Sequence, residues 1–165
     1  MTEVTDYSIR HATASDAAII AHHRVAMFQD MGEVPSAVLS SQLRSRSSAA
    51  LAAMFREGSY VGWLAIEAGG RVIAGAGAQI KPQLPRISHD GAGVAVMPVA
   101  LVLNVYTEPA WRRKGIARAL MQRIMAWATD AGIDRVLLHA SDAGRPLYQS
   151  LGFAPTNEMR WFPVR

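Results

Sequence analysis

Arg112, Arg113, Lys114, Gly115, Ile116 and Ala117 stand in a row directly ahead of a stretch with helical apolar spacing. A helix N-terminus presents unpaired N–H groups and an effective charge of about +0.5, so such a loop is an anion site before any side chain contributes. Gly115 and Ala117 let a phosphate approach the backbone, while Arg112, Arg113, Lys114 and Arg118 surround the opening with positive charge. The ligand this chemistry suits is a pyrophosphate. The spacing is neither a Gly-x-Gly-x-x-Gly dinucleotide turn nor a loop ending in Lys-Ser/Thr, which removes the main support for nucleotide hydrolysis. The alternative, a basic helix start on the surface, sets cations against the helix dipole unless an anion sits there.

Composition narrows the chemistry further. The 165 residues contain no Cys, which excludes disulfides, thiolate metal sites, a catalytic thiol and a covalent thiol intermediate. Lys and Arg number 17 against 13 Asp and Glu, a net +4 that suits an anionic small ligand. No interleaving of aromatic and basic residues accompanies residues 112–118, so no nucleic-acid partner is expected. One domain over residues 1–165 is predicted, with half the residues apolar and enough of them to cover a core. The most apolar stretch, 91–105, is broken by Gly93 and Pro98 before it reaches about 18 residues, and residues 1–6 carry acids in place of a basic leader. The expectation is a soluble cytoplasmic protein with no membrane partner.

The elements that must position this loop follow from periodicity. Weak alternation at 7–11 precedes a Thr- or Ser-capped helix over about 16–31, and an Ala-rich helix over about 36–57 follows, with a kink or short break at Ser45 to Ser48. Two apolar runs, 60–67 and 71–80, flank Ala68-Gly69-Gly70 as a hairpin, and Gly75 and Gly77 within the second indicate a bulge or a close backbone neighbour. Residues 81–93 read as a loop, and 99–107 as a nearly continuous apolar strand buried on both faces. A helix over about 115–131 carries Ile116, Leu120, Ile124 and Trp127 on one face, and Gly132 stops it. A strand at 135–140, a short helix at 145–151 and a strand region at 153–162 complete the chain. Strand, crossover helix, strand implies a parallel pair in the sheet.

Arg112-x-x-Gly115-x-Ala117 after the strand Leu103-Asn104-Val105-Tyr106-Thr107-Glu108-Pro109, followed by Leu147-Tyr148-Gln149-Ser150-Leu151-Gly152-Phe153, resembles the GNAT superfamily of acetyl-CoA-dependent N-acetyltransferases. The likeness is sharpest over residues 101–153. It implies an α/β fold of mixed type, a twisted mixed sheet flanked by helices in which two central parallel strands splay to admit the pantetheine arm. That arm would pair with the backbone of Val105, Tyr106 and Thr107, and the pyrophosphate would lie on the loop of Arg112, Arg113, Lys114, Gly115, Ile116, Ala117 and Arg118. Ser141 falls where many members have an Asn that contacts the cofactor, and Ala117 replaces the common glycine.

The resemblance further implies direct transfer of an acetyl group from acetyl-CoA to a primary amine of a small molecule or peptide. Tyr148 corresponds to the general acid that protonates the departing thiolate. A base for the ammonium is sought among His139, at the end of the second splayed strand, Glu108, which alternatively only orients the Pro109 turn, and Asp142, His89 and Asp30. Met27, Asp30 and Met31 correspond to the acceptor-side wall, the methionines being core in the plainer reading. His22 and His23 are adjacent and project about 100° apart on a helix, so no metal is assigned to them. A non-catalytic CoA-binding sensor is the alternative function, and a homodimer through an exposed sheet edge is the expected assembly.

Overall fold

The computed structural model describes residues 6–164; the acidic start, residues 1–5, lies outside them. Alternation at the N-terminus forms β1, Tyr7–His11. A 3-10 turn follows, where Asp16 accepts from the Thr13 amide at 2.8 Å and takes both arms of Arg10, each at 2.8 Å. Helix α1, Ala17–Asp30, grows from that turn. Helix α2, Ala37–Glu57, starts where Ser36 Oγ accepts from the Leu39 amide at 3.2 Å, and stops at Gly58 with φ 71°. It runs unbroken through residues 45–48. Serine there costs little helix propensity and Ser47 is buried, so neither a kink nor a break forms.

Strands β2, Tyr60–Glu67, and β3, Val72–Lys81, form the expected hairpin. Period two divides β2 between two cores: Trp63 and Ala65 face one, Tyr60 and Leu64 the other. The glycines of β3 serve close approach. A Cβ on Gly77 would overlap the Tyr60 ring and hydroxyl, and one on Gly75 would sit 2.9 Å from Leu64 Cδ2. Residues 81–93 are not wholly loop, because β4, Arg86–Ile87, pairs with β5, Val94–Ala95, across a turn tied by Ser88 and Asp90.

Strand β6, Val99–Thr107, lies antiparallel to β3 and parallel to β7, Val136–Leu137, giving a mixed sheet in the order β1-β2-β3-β6-β7. The crossover is α3, Ile116–Asp130, whose Ile116, Leu120, Met121 and Ile124 are fully buried on the Trp63 side of the sheet. Each such side chain contributes roughly 1.5–3 kcal/mol of burial. Helices α1 and α2 cover the opposite side with Ala17, Ile20, Ala21 and Leu51. Helix α4, Arg145–Ser150, follows β7.

Three further expectations are corrected. The strand at 135–140 shortens to two residues, since the parallel ladder ends at Leu101↔Leu137 and the chains then separate. Nor is β6 buried on both faces: Leu101, Leu103, Val105 and Thr107 are only partly covered, and Leu101 and Leu103 belong to neither core. No strand forms over 153–162. Pro155 lacks an N–H, residues 154–164 make no backbone hydrogen bond to β7 or to any other described strand, and they are exposed.

Candidate active site

The site begins with an irregularity in β6. Gly75 pairs with Tyr106 and Gly77 with Leu103, so Asn104 and Val105 together stand opposite Ala76 as a β-bulge. Asn104 takes φ 58°, a left-handed conformation that asparagine tolerates better than other non-glycine residues. Its buried amide is anchored at both ends. Arg24 Nη1 donates to Asn104 Oδ1 at 2.8 Å, and Asn104 Nδ2 donates to the Tyr60 hydroxyl at 3.2 Å. Beyond the bulge Val105 packs on the α3 side while Tyr106 turns to α1, its ring 5.0 Å from that of His23.

Past the last β6–β7 pair, Val105, Tyr106 and Thr107 run along the opening between the strands. The loop beyond them turns through two left-handed residues, Arg113 at φ 67° and Gly115 at φ 78°, and delivers the chain into α3. Among the described residues, the amides of 113–118 donate to no backbone carbonyl. A Cβ on Gly115 would meet nothing within 4 Å, so the helix start opens outward. Free amides, an open approach and the dipole fit an anion such as a pyrophosphate. The loop's cations do not all face it. Arg112 folds back, donating from Nε to the Thr107 carbonyl at 2.9 Å and from Nη2 to Asp30 at 2.5 Å, with its guanidinium 5.6 Å over the Tyr106 ring. Lys114 stacks on Trp111, and Arg118 donates to Ser150 Oγ at 2.6 Å, joining α3 to α4.

On the other wall, Ser141 starts α4. Its carbonyl accepts from the Arg145 amide at 2.9 Å, and its Oγ lies 3.2 Å from the Gly144 amide. Gly144 leaves room for Tyr148, whose Cε2 a methyl group there would approach to 2.9 Å. The Tyr148 ring packs edge-on to Phe153, and its hydroxyl has no hydrogen-bond partner among the described residues. Burial pushes its phenol above the ordinary value, so it carries its proton.

The base candidates separate in space. His139 pairs with Glu158 at 2.5 Å on an exposed surface. Glu108 is half-buried at the end of β6, and its Oε1 faces His23 Nε2 at 3.7 Å and His22 Nε2 at 4.0 Å. Asp142 and His89 are exposed, His89 on the β4–β5 turn. Met27 is partly buried on α1, while Asp30 and Met31 are exposed at its end. Spacing alone gave no sign that α1 would deliver Arg24 and His23 to β6. The single asparagine inside an otherwise apolar strand was the available signal for the bulge.

Comparison with known proteins agrees with this geometry. The model of the acetyltransferase (GNAT) family matches residues 25–153. An aminoglycoside N(6')-acetyltransferase type 1 from Stenotrophomonas maltophilia is 26% identical over 165 residues, covering 94% of this chain and 91% of that protein. The crystal structure of a GCN5-related N-acetyltransferase from Ralstonia eutropha JMP134 superposes with a TM-score of 0.82 at 32% identity, over 96% of this chain and 98% of that one. A predicted acetyltransferase with acetyl-CoA from Clostridium acetobutylicum gives a TM-score of 0.78 at 25% identity, over 96% of each chain. The chain belongs to the acetyltransferase (GNAT) family and is an N-acetyltransferase that draws its acetyl group from acetyl-CoA.

Proposed function

We propose that the acceptor is a primary amine of a small polycationic molecule, with aminoglycosides the first class to test, and that Glu108 and Tyr148 manage the protons. The observation that carries the reading is a partly buried carboxylate at the end of β6 beside α1, together with a protonated phenol on α4 that has no hydrogen-bond partner among the described residues. The acceptor class is supported by the aminoglycoside relative and by the Glu108 carboxylate beside α1.

Acetyl-CoA supplies a thioester, activated toward attack by an amine. Glu108 takes one proton from the ammonium, which frees the nitrogen lone pair; the C–N bond forms, the C–S bond breaks and Tyr148 gives its proton to the sulfur. The nitrogen then carries two protons, gives one to the tyrosinate and keeps the other as the amide N–H, so one proton in total leaves through Glu108. The amides of residues 113–118 hold the diphosphate, and the free edge at Val105, Tyr106 and Thr107 holds the pantetheine arm. Arg113, Lys114 and Arg118 add field, while Arg112 braces the Thr107 turn against Asp30. Ser141 acts by starting α4, Met27 and Met31 form the acceptor wall, and His139 lies outside the proton path.

The exposed Met159, Trp161 and Phe162 support a homodimer, which sedimentation at micromolar concentration would reveal. The functional test is release of CoA thiol from acetyl-CoA with kanamycin, spermidine, glucosamine and a lysine peptide. Turnover is expected with kanamycin. No thiol release with any amine, from protein whose melting temperature acetyl-CoA raises, would instead establish a sensor.

A further inference from the structure

His23 is 1% exposed, and its Nε2 is wholly enclosed without a hydrogen-bond partner. Buried polar atoms are nearly always paired, so an orphaned one marks a group held for another purpose. The ring is fixed on two sides: Tyr106 lies 5.0 Å away between centroids, and Gly75, by lacking a Cβ, leaves space beside Nδ1. Nε2 therefore has one acceptor in view. Glu108 Oε1 stands 3.7 Å away, too far for a hydrogen bond and near enough to become one through a small side-chain rotation. Catalytic hydrogen bonds are often long in the free enzyme and tighten when substrate arrives. His22, from the next position on α1, brings its Nε2 to 4.0 Å from the same oxygen and is 44% exposed.

We propose that the two histidines serve Glu108 in different ways: His23 as a positioning residue whose Nε2–H closes onto the carboxylate, His22 as the group that carries its proton to solvent. This rests on the reading of Glu108 as base. Burial in the first place, and His22 beside it, hold the His23 pKa down at about 4, so its ring stays neutral and offers one N–H. The proton count closes: Glu108 gains one proton from the ammonium, passes it to His22 Nε2, and His22 releases it to water, leaving all three side chains as they began. Tyr106 flanks the carboxylate from β6, and Arg71 faces it from β3's start. Neither of them replaces His22 as an exit, since Arg holds its proton and Tyr106 is pushed above its ordinary range by burial.

The experiment uses kanamycin, or whichever amine of the panel above the parent acetylates fastest. His22→Ala is expected to lower kcat about 10-fold with the KM for acetyl-CoA unmoved, and added imidazole buffer should restore most of it. His23→Leu should lower kcat by a similar factor and His23→Gln, which keeps an N–H donor, by much less. In 15N-histidine spectra of the protein saturated with CoA and the amine, where the hydrogen bond is closed, Glu108→Gln should shift the His23 Nε2 resonance. A folded His22→Ala variant at parental rate, or one that imidazole does not rescue, overturns the exit. An unmoved His23 resonance in Glu108→Gln overturns the positioning role even where His23→Leu fails to fold. If Glu108→Gln turns over normally, the base assignment itself falls; if it is crippled while both histidine variants are normal, only this inference does.

Discussion

Arg24 on α1 and Asn104 on β6, eighty positions apart, meet at 2.8 Å, so α1 is tied to the only described residue of that strand with left-handed backbone. The tie fixes the bulge on which Val105 and Tyr106 depend for their opposite directions. Tyr60 closes the network from β2, its phenol pushed to about 12 by burial.

Asn104→Gly keeps the φ 58° conformation at no steric cost and removes the tie, whereas Asn104→Val forces a β-branched residue into it. The valine variant should be less stable than the glycine variant by about 1–2 kcal/mol in urea unfolding. Equal stabilities would show that the bulge relaxes on losing its side chain.

Stability should fall in two steps as the solution is acidified. The unfolded chain protonates His23 near its ordinary value of about 6.5, while the folded chain resists until about 4, so protons favour unfolding through that window. Asp16 follows: Arg10 holds its carboxyl at about 2 against the ordinary 3.8, so the stability it contributes is full above 3.8 and is lost from there down to about 2. With Arg10 half-exposed, that second step is worth about 1–2 kcal/mol. His23→Leu should flatten the upper step and Asp16→Asn the lower, as read by melting temperature against pH.

Tyr148→Phe removes a hydroxyl without protein partners, so fold and CoA affinity should persist. The maximal rate should drop by roughly 10²-fold, and by less with a thioester whose thiolate is a better leaving group. A parental rate where chemistry limits turnover would make Tyr148 a packing residue only.

Gly144→Ala inserts a methyl group 2.9 Å from Tyr148 Cε2 and 3.3 Å from Ser141 Oγ. The ring must move, and a displacement of about 1 Å at a reacting group can cost up to 10²-fold. The expected signature is a lower kcat with unchanged acetyl-CoA binding by calorimetry; an unchanged kcat would mean that the ring position is not critical.

Gly115→Val strains a φ 78° position and sets branched carbon beside the free amides, whereas Arg113→Ala leaves those amides intact. CoA binding should weaken more in the valine variant, measured by isothermal titration on folded protein. Normal binding by Gly115→Val would move the diphosphate elsewhere.

The elements were legible in the sequence where period and punctuation agreed. Ser36 and Gly58 bracket α2, Ala68 to Gly70 turn the hairpin, and the α3 stripe leads from Gly115 to Gly132. The open start of α3 at Gly115 and the short helix that carries Tyr148 were legible because their residues are close together in the chain. The Glu108 environment was not: His22 and His23 lie more than eighty positions away, and helical spacing says which way they diverge without saying what they meet. The reach of β7 was hidden for a related reason, since residues 135–140 have strand character throughout and only their divergence from β6 ends the ladder after two pairs.

That two-pair ladder has a mechanical consequence. The wall bearing Tyr148 is joined to the main sheet by a seam two residues long, supported by α3 and the Arg118–Ser150 clasp. A donor arm threaded between the strands would add rungs on the β6 side and stiffen the seam without touching it. Protection of the Val136 and Leu137 amides against hydrogen exchange should therefore rise when CoA binds, and turnover should be sensitive to viscosity and temperature through the breathing of this joint.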